Sequence, residues 1–79
     1  MFYYTYILYS EKDKKMYVGW TDDLENRVKK HNNGNVSATK NRRPLELIYF
    51  EACKNKDKAI QREKYFKTGF GRRYLKLRI

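Results

Sequence analysis

Two aromatic-rich segments near the N-terminus constrain the fold of this chain more than any other feature. Residues 2–9 read Phe-Tyr-Tyr-Thr-Tyr-Ile-Leu-Tyr, and residues 16–20 read Met-Tyr-Val-Gly-Trp. Aromatic and branched side chains are typical of strands, and only six polar positions separate the two segments. The pattern therefore predicts a β-hairpin. Because the connection contains neither Asn-Gly nor Asp-Gly, we expect a longer or irregular turn.

A helix is predicted directly after the hairpin. Asp22 suits the cap, and Glu25 three positions later completes a capping-box pattern in which Asp replaces Ser or Thr. The Asn-Asn-Gly sequence at 32–34 predicts the end of this helix, since glycine readily takes the left-handed conformation. Residues 35–44 then form a polar, basic loop.

The second half of the chain predicts one more strand and two helices. The strand covers residues 45–52, Leu-Glu-Leu-Ile-Tyr-Phe-Glu-Ala. Asn55 or Asp57 caps a helix that runs to about Thr68, where Gly69 and Gly71 break it, and residues 72–78 form a short last helix. The order strand, strand, helix, strand, helix, helix indicates an α+β domain over residues 1–79. Its core is a three-stranded, largely antiparallel sheet flanked by helices.

Charge and cysteine content narrow the functional classes. The 79 residues carry 19 Lys and Arg against 9 Asp and Glu, a net charge of +10, and such a surface attracts polyanions. Nucleic acid is the leading partner, ahead of an anionic membrane surface. No apolar run approaches the ~18 residues of a membrane span. The single Cys53 excludes an internal disulfide, and one His with one Cys excludes a structural zinc site. We expect a cytoplasmic protein.

One arginine lies in an unexpected place on the first predicted helix. Leu24, Arg27, Val28 and His31 fall on one helical stripe, which should face the sheet. A guanidinium at the edge of a buried face needs an anion, unless its side chain extends along the face to water. Helical spacing alone leaves both interpretations open for Arg27.

A carboxylate is similarly placed on the second predicted helix. Ala59, Phe66 and Phe70 share one face, and Glu63 falls within it, whereas its neighbour Arg62 points elsewhere. A carboxylate directed at a core indicates an ion pair, a raised pKa or a metal ion. The simplest partner is Arg27, and a metal ion is the alternative.

The hairpin supplies two tyrosines and a glycine to the same region. Tyr6 and Tyr17 stand at similar distances from the centre of the connecting loop, so they could lie across from one another, although the register is not fixed by sequence. Simple packing is the alternative role for both. Gly19 inside a strand indicates the close approach of a backbone or ligand.

These positions together resemble the GIY-YIG nuclease domain. Tyr4-Thr5-Tyr6, ten residues, and then Tyr17-Val18-Gly19 match the two motifs, and the later Arg27, His31 and Glu63 follow in the family's order. The similarity covers about residues 3–69 and is greatest to the small stand-alone bacterial UPF0213 group. Two departures are Tyr4 in place of the first motif glycine and Trp20 where repair enzymes of the family carry a lysine.

The resemblance implies a metal-dependent endonuclease that hydrolyses phosphodiester bonds, with DNA favoured over RNA. In such an enzyme Glu63 binds one Mg²⁺ or Mn²⁺, and Arg27 neutralises the scissile phosphate. Tyr6 is the candidate general base, Tyr17 orients the attacking water or shares its proton, and His31 is a rival base or a phosphate ligand. The alternative function is a nucleic-acid-binding module with little or no turnover.

Phosphate contacts outside the motifs are expected from the basic clusters. Five residues are candidates: Lys40, Arg42, Arg43, Arg72 and Arg73. Each of them taken singly could equally be a solvated surface charge. We expect no additional recognition domain, and hence low sequence specificity, action on a nucleic-acid structure, or a protein partner or homodimer that supplies specificity.

Overall fold

A computed structural model describes all residues, 1–79, and confirms the predicted α+β class. The elements are β1 (Tyr3–Ser10), β2 (Met16–Thr21), α1 (Leu24–Asn32), a 3₁₀ turn (Lys40–Arg42), β3 (Leu45–Cys53), α2 (Lys56–Phe66) and α3 (Gly69–Lys76). The three strands form one antiparallel sheet in the order β2-β1-β3, so β1 is central. None of the helices has the length and apolar character needed to cross a membrane.

Side chains alternate along β1, so buried apolar side chains lie on both faces of the sheet, and helices cover both faces. Tyr6 and Leu8 point to one face, where they pack with Leu45 and with α1. Ile7 points to the opposite face, where Phe66 of α2 and Leu75 of α3 cover it. The predicted contact face of α1 is therefore confirmed, and α1 and α2 lie on opposite sides of the sheet.

The hairpin register separates the two motif tyrosines. Tyr6 pairs with Gly19, and Tyr17 pairs with Leu8. Tyr6 and Tyr17 are thus not directly opposite one another, but they share the face that α1 covers. The connection is an irregular turn, as predicted, and Lys14 within it adopts a left-handed backbone with φ 61°.

The boundaries of α1 and α2 differ from the sequence prediction in two places, the cap of α1 and the end of α2, whereas Asn55 is one of the two caps predicted for α2. Asp23, not Asp22, caps α1, and its carboxylate accepts the Asn26 amide. Asn55 caps α2 by accepting the Lys58 amide at 3.0 Å. That helix ends at Phe66, two residues earlier than predicted. The end of α1 is as predicted, with Gly34 at φ 79°.

The chain breaks between α2 and α3 as predicted, but Gly69 and Gly71 do not lie in the break, and the last helix starts at residue 69 instead of 72. α3 begins at Gly69, capped by the Thr68 side chain, and contains Gly71 in its first turn. A Cβ on Gly71 would overlap the Tyr65 carbonyl oxygen, so glycine here permits α3 to fold back closely on α2. Phe70 belongs to α3 and is 70% exposed, which corrects its predicted place on the apolar face of α2.

Arg62 also departs from its predicted outward position. Its guanidinium donates two hydrogen bonds to the Glu51 carboxylate, at 2.8 and 3.2 Å, and Tyr49 donates a third to the same group. The guanidinium also lies over the rings of Phe66 and Tyr74, at 4.6 and 4.7 Å. Both the ion pair with the carboxylate and the cation–π contacts with the rings fix the position of the guanidinium. Arg62 therefore ties α2 and α3 to β3.

Candidate active site

Tyr6 and Gly19 pack against each other at the centre of the α1 face. Tyr6 is fully buried, and its ring lies over Gly19 on the neighbouring strand. A Cβ at Gly19 would lie 2.5 Å from the Tyr6 Oη and 2.6 Å from its Cζ. The close approach at Gly19 is thus made by the Tyr6 side chain and not by the backbone or ligand that the sequence predicted, and it fixes the position of the Tyr6 hydroxyl.

A chain of hydrogen bonds runs through that hydroxyl. Tyr6 Oη lies 2.8 Å from His31 Nε2, and His31 Nδ1 lies 2.7 Å from the Thr39 Oγ1. Arg27 Nε donates to Tyr6 Oη at 3.4 Å. Arginine only donates, so Tyr6 Oη accepts from Arg27, and His31 Nε2 is the one remaining partner that can accept the buried Tyr6 hydroxyl hydrogen. The imidazole hydrogen is then on Nδ1, where Thr39 accepts it.

The pKa shifts of His31 and Tyr6 agree with that chain of hydrogen bonds. Burial lowers the pKa of His31 to about 4, and the nearby Arg27 charge contributes. Burial raises the pKa of the Tyr6 hydroxyl, although Arg27 acts in the opposite direction. Both side chains are therefore neutral at pH 7, as a donor phenol and an acceptor imidazole require.

Tyr17 borders the same imidazole but remains accessible. Its ring meets His31 edge-on, with the ring centroids 5.1 Å apart. The side chain is half-buried, and its hydroxyl makes no hydrogen bond within the protein. Tyr17 thus presents a free hydroxyl at the border of the cluster, whereas the Tyr6 hydroxyl is enclosed.

The predicted ion pair between Arg27 and Glu63 is wrong. The two residues lie on helices that cover opposite faces of the sheet, and Glu63 instead lies 3.5 Å from Lys67, one turn along α2. Arg27 is half-buried, and its single hydrogen bond within the protein goes to the Tyr6 hydroxyl. No carboxylate neutralises it. The anion that a half-buried guanidinium needs is therefore not supplied by the protein.

Glu63 is a mostly buried carboxylate on α2. Its side chain is 18% exposed. Burial of Tyr6 is the largest cause that raises the pKa of that tyrosine, and the negative charge of Glu63 is a smaller cause in the same direction. Glu63 is therefore within electrostatic range of the tyrosine cluster. No three His, Cys, Asp or Glu side chains of this protein are arranged so that they could hold a metal ion. Since Mg²⁺ is often held by one or two carboxylates, waters and substrate phosphates, this donor set fits such an ion but not a closed protein cage.

The five predicted phosphate-binding cations do not form one surface. Arg42 is engaged with the Asp13 carboxylate and with backbone carbonyls of the hairpin. Lys40 and Arg43 line a shallow polar groove beside the 3₁₀ turn. Arg72 lies in a separate groove, and Arg73 stacks over the exposed Phe70 ring at 5.4 Å.

Thr39 is the member of the cluster that sequence reasoning missed. It is fully buried and bonded to His31, although it lies within the polar loop 35–44. The chain pattern offers no signal for it, because a single threonine among Ser, Ala and Lys is typical of an exposed loop. Only the fold brings it to the imidazole.

The fold and the site together define a class of protein. Residues 2–75 match the family model of the GIY-YIG catalytic domain, and the chain belongs to this family. Membership places it among nuclease domains and implies interaction with nucleic acid.

Individual relatives specify the group within that family. The chain is similar to the UPF0213 protein CPE1444 of Clostridium perfringens, with 49% identity over 65 residues that cover 81% of this chain and 69% of the relative. It is similar to the UPF0213 protein SSP2268 of Staphylococcus saprophyticus, with 42% identity over 76 residues, 95% of this chain and 92% of the relative. The recognised resemblance to the UPF0213 group is thus confirmed.

A solved structure shares the architecture. The solution NMR structure of the UPF0213 protein BH0048 from Bacillus halodurans superimposes with a TM-score of 0.57 at 33% sequence identity. The match covers 95% of this chain and 82% of that protein. The antiparallel sheet and its flanking helices are therefore the fold of this group.

Proposed function

We propose that this protein is a metal-dependent endonuclease that hydrolyses phosphodiester bonds in nucleic acid, DNA in preference to RNA. One observation carries the proposal. Arg27 is half-buried beside Tyr6 of the first motif, and no carboxylate of the chain neutralises it. A phosphodiester supplies the missing anion, and the guanidinium fork matches the geometry of phosphate oxygens. The net charge of +10 favours the approach of such a ligand.

Binding of phosphate changes the environment of the Tyr6 hydroxyl. The bond from Arg27 Nε to Tyr6 Oη is long, 3.4 Å, so the guanidinium is weakly held there. When Arg27 turns to the phosphate, the Oη loses this donor and becomes open to a water molecule. The free hydroxyl of Tyr17 lies on the accessible side, where it orients that water.

The buried hydrogen-bond chain then takes up the proton. As the water oxygen bonds to phosphorus and the bond from phosphorus to the leaving oxygen breaks, a water proton passes to Tyr6 Oη. The Tyr6 proton passes in turn to His31 Nε2, 2.8 Å away. The imidazolium that forms keeps its Nδ1 hydrogen bond to Thr39. The leaving oxygen takes a proton from solvent.

Phosphate also makes this transfer more favourable. Burial and the Arg27 charge hold the pKa of free His31 at about 4, which makes it a weak acceptor. A phosphate on Arg27 removes the repulsive part of that shift, because the pair carries little net charge. His31 is enclosed and acts through Tyr6 rather than on the substrate. This is why the two residues work as one unit.

Glu63 is the proposed ligand of a single Mg²⁺ or Mn²⁺. Its lone, partly exposed carboxylate leaves most coordination positions to waters and phosphate oxygens, as Mg²⁺ prefers. When bound, the ion supplies charge neutralisation of the phosphate and of the leaving oxygen.

The test is cleavage of labelled single-stranded, duplex, nicked and branched DNA and of RNA. Each substrate is incubated with Mg²⁺, with Mn²⁺ and with chelator. Glu63→Gln is compared with Glu46→Gln, which removes an exposed carboxylate on β3 with the same chemical change. We expect metal-dependent cleavage by the wild type and by Glu46→Gln, and none by Glu63→Gln.

Two results would reject the proposal. Cleavage by Glu63→Gln at the wild-type rate would remove the metal assignment. Tight binding of nucleic acid without cleavage of any substrate would instead establish the alternative, a binding module without turnover.

A further inference from the structure

A basic groove runs along the edge of the sheet formed by β2. It is bounded on one side by the β1–β2 connection and on the other by the end of α2 and by α3. Nine residues line it, and none of them is acidic. Five are cations: Lys14, Lys15, Lys67, Arg72 and Lys76. We call this surface the β2 groove.

The cations of the β2 groove form two opposing rims. Lys14 and Lys15 stand on the hairpin rim, while Arg72 and Lys76 stand one turn apart on the same face of α3. Of the five, only Lys67 makes an ion pair, and that pair with Glu63 is 3.5 Å long and exposed on the lysine side. The groove thus holds several uncompensated positive charges on both sides.

The hairpin rim is held firmly by the backbone around it. The Lys14 amide donates to the Ser10 carbonyl at 2.9 Å, and the Lys15 amide donates to the Asp13 carboxylate at 2.9 Å. Arg42 donates to the Lys15 carbonyl at 3.2 Å and to the same carboxylate. The backbone of the rim is therefore fixed while both lysine side chains stay free. This gives Arg42, one of the predicted phosphate contacts, a positioning role.

The floor of the groove is apolar and leads to the candidate active site. Tyr17, Val18 and Phe66 contribute to the floor. Tyr17 also contacts His31, and Lys67 on the opposite rim lies beside Glu63. The groove therefore contains Tyr17 and borders Glu63 through Lys67.

We infer that the β2 groove binds a single-stranded segment of the nucleic acid next to the scissile phosphate. Two cationic rims on either side of an apolar floor suit a strand whose phosphates face the rims and whose bases and sugars lie on the floor. A duplex keeps its bases stacked inside, so the base faces that an apolar floor would contact are not available. The inference rests on the proposed function for the location of the scissile phosphate.

Binding without cleavage is the appropriate test. Fluorescence anisotropy of labelled strands of about 12 nucleotides, a length within known single-strand site sizes, is measured in chelator on the Glu63→Gln background. The ligands are single-stranded DNA, single-stranded RNA and duplex DNA. Lys15→Gln/Arg72→Gln removes one cation from each rim. Lys54→Gln/Lys58→Gln removes two exposed cations at the start of α2, outside the groove.

The salt dependence of binding gives the decisive quantity. For single strands the logarithm of affinity falls with the logarithm of salt concentration by about 0.7 for each neutralised phosphate. We expect the slope to become shallower by about 1.4 in the groove variant and to stay unchanged in the control. Equal slopes in the two variants would overturn the inference. So would duplex binding that is tighter than single-strand binding and equally sensitive to Lys15 and Arg72.

The experiments distinguish rejection of the groove as a binding site from rejection of the nuclease assignment. A wild type that cleaves, with a groove variant that binds normally, rejects the groove and leaves the nuclease assignment intact. Loss of strand binding in the groove variant, with no cleavage by the wild type, supports the groove and rejects the nuclease.

Discussion

Replacement of Gly19 by alanine tests the packing on which the candidate active site depends. The new methyl group would lie 2.5 Å from the Tyr6 Oη, whereas ordinary contacts begin near 3.4 Å. The ring must therefore shift by roughly 1 Å, since dispersion contacts turn steeply repulsive below their optimum. The Tyr6 ring has no free space to shift into, because it is fully buried.

The same shift breaks a specific hydrogen bond. Tyr6 Oη lies 2.8 Å from His31 Nε2, and a displacement of that size takes the pair beyond hydrogen-bond distance. Overpacking costs about 1–3 kcal/mol and the lost hydrogen bond about 1 kcal/mol, while alanine in a strand recovers ~0.5–1 kcal/mol. The expected loss is about 1–3.5 kcal/mol, or a fall in Tm of roughly 4–28 °C for a domain of this size.

Thermal and urea unfolding measure that loss, with Gly69→Ala as the control. Nothing lies within 4 Å of a Cβ added at Gly69, the first residue of α3, so this variant should keep or slightly raise the wild-type Tm. Cleavage by Gly19→Ala should fall as well, because the Tyr6 hydroxyl is displaced from His31. If Gly19→Ala and Gly69→Ala unfold at the same temperature, the packing account of Gly19 is refuted.

Two further predictions concern the pH dependence of stability. Hydrogen bonds from Arg62 and Tyr49 hold the pKa of the Glu51 carboxyl below its ordinary value of 4.5, although burial acts in the opposite direction. The ionised Glu51 therefore contributes fully to the free energy of unfolding above pH 4.5, and this contribution is lost as the pH falls further. Urea unfolding between pH 6 and pH 2 should show a weaker acid dependence in Glu51→Gln, and an unchanged dependence would contradict this. Burial, with a contribution from the Arg27 charge, lowers the pKa of His31 from 6.5 to about 4. Between pH 6.5 and pH 4 the unfolded chain binds a proton on His31 that the folded chain does not, so the free energy of unfolding should fall by about 3 kcal/mol from pH 7 to pH 4. His31→Asn should remove this slope, and a variant that retains it would show that His31 is not the responsible group.

Periodicity and composition were sufficient to predict the main elements. The aromatic segments gave β1 and β2, and the stripe of Leu24, Val28 and His31 gave the buried face of α1. These patterns depend on local geometry, in which every side chain of an element repeats with a fixed period. The hairpin register was not predictable, because its irregular turn with Lys14 at positive φ does not impose one alignment.

What could not be predicted depends on contacts between distant elements. Gly71 resembles a helix breaker until the Tyr65 carbonyl is known to lie against it. Arg62 resembles a surface cation until the rings of Phe66 and Tyr74 surround it. Thr39 resembles a loop residue until the fold places it on His31. In each case the decisive partner comes from another element or from a different turn of the chain.

The central claim is that Arg27 is unpaired because its anion is the scissile phosphate. The most direct measurement is the single-turnover rate of metal-dependent cleavage by Arg27→Ala, beside Lys29→Ala, which removes an exposed cation from the same helix. Thermal unfolding of both variants shows that they are folded. We predict a rate about 10²–10³-fold below wild type for Arg27→Ala, the effect of removing one positioned donor to transition-state charge, and a near wild-type rate for Lys29→Ala. A folded Arg27→Ala protein that cleaves as fast as the wild type would contradict the account.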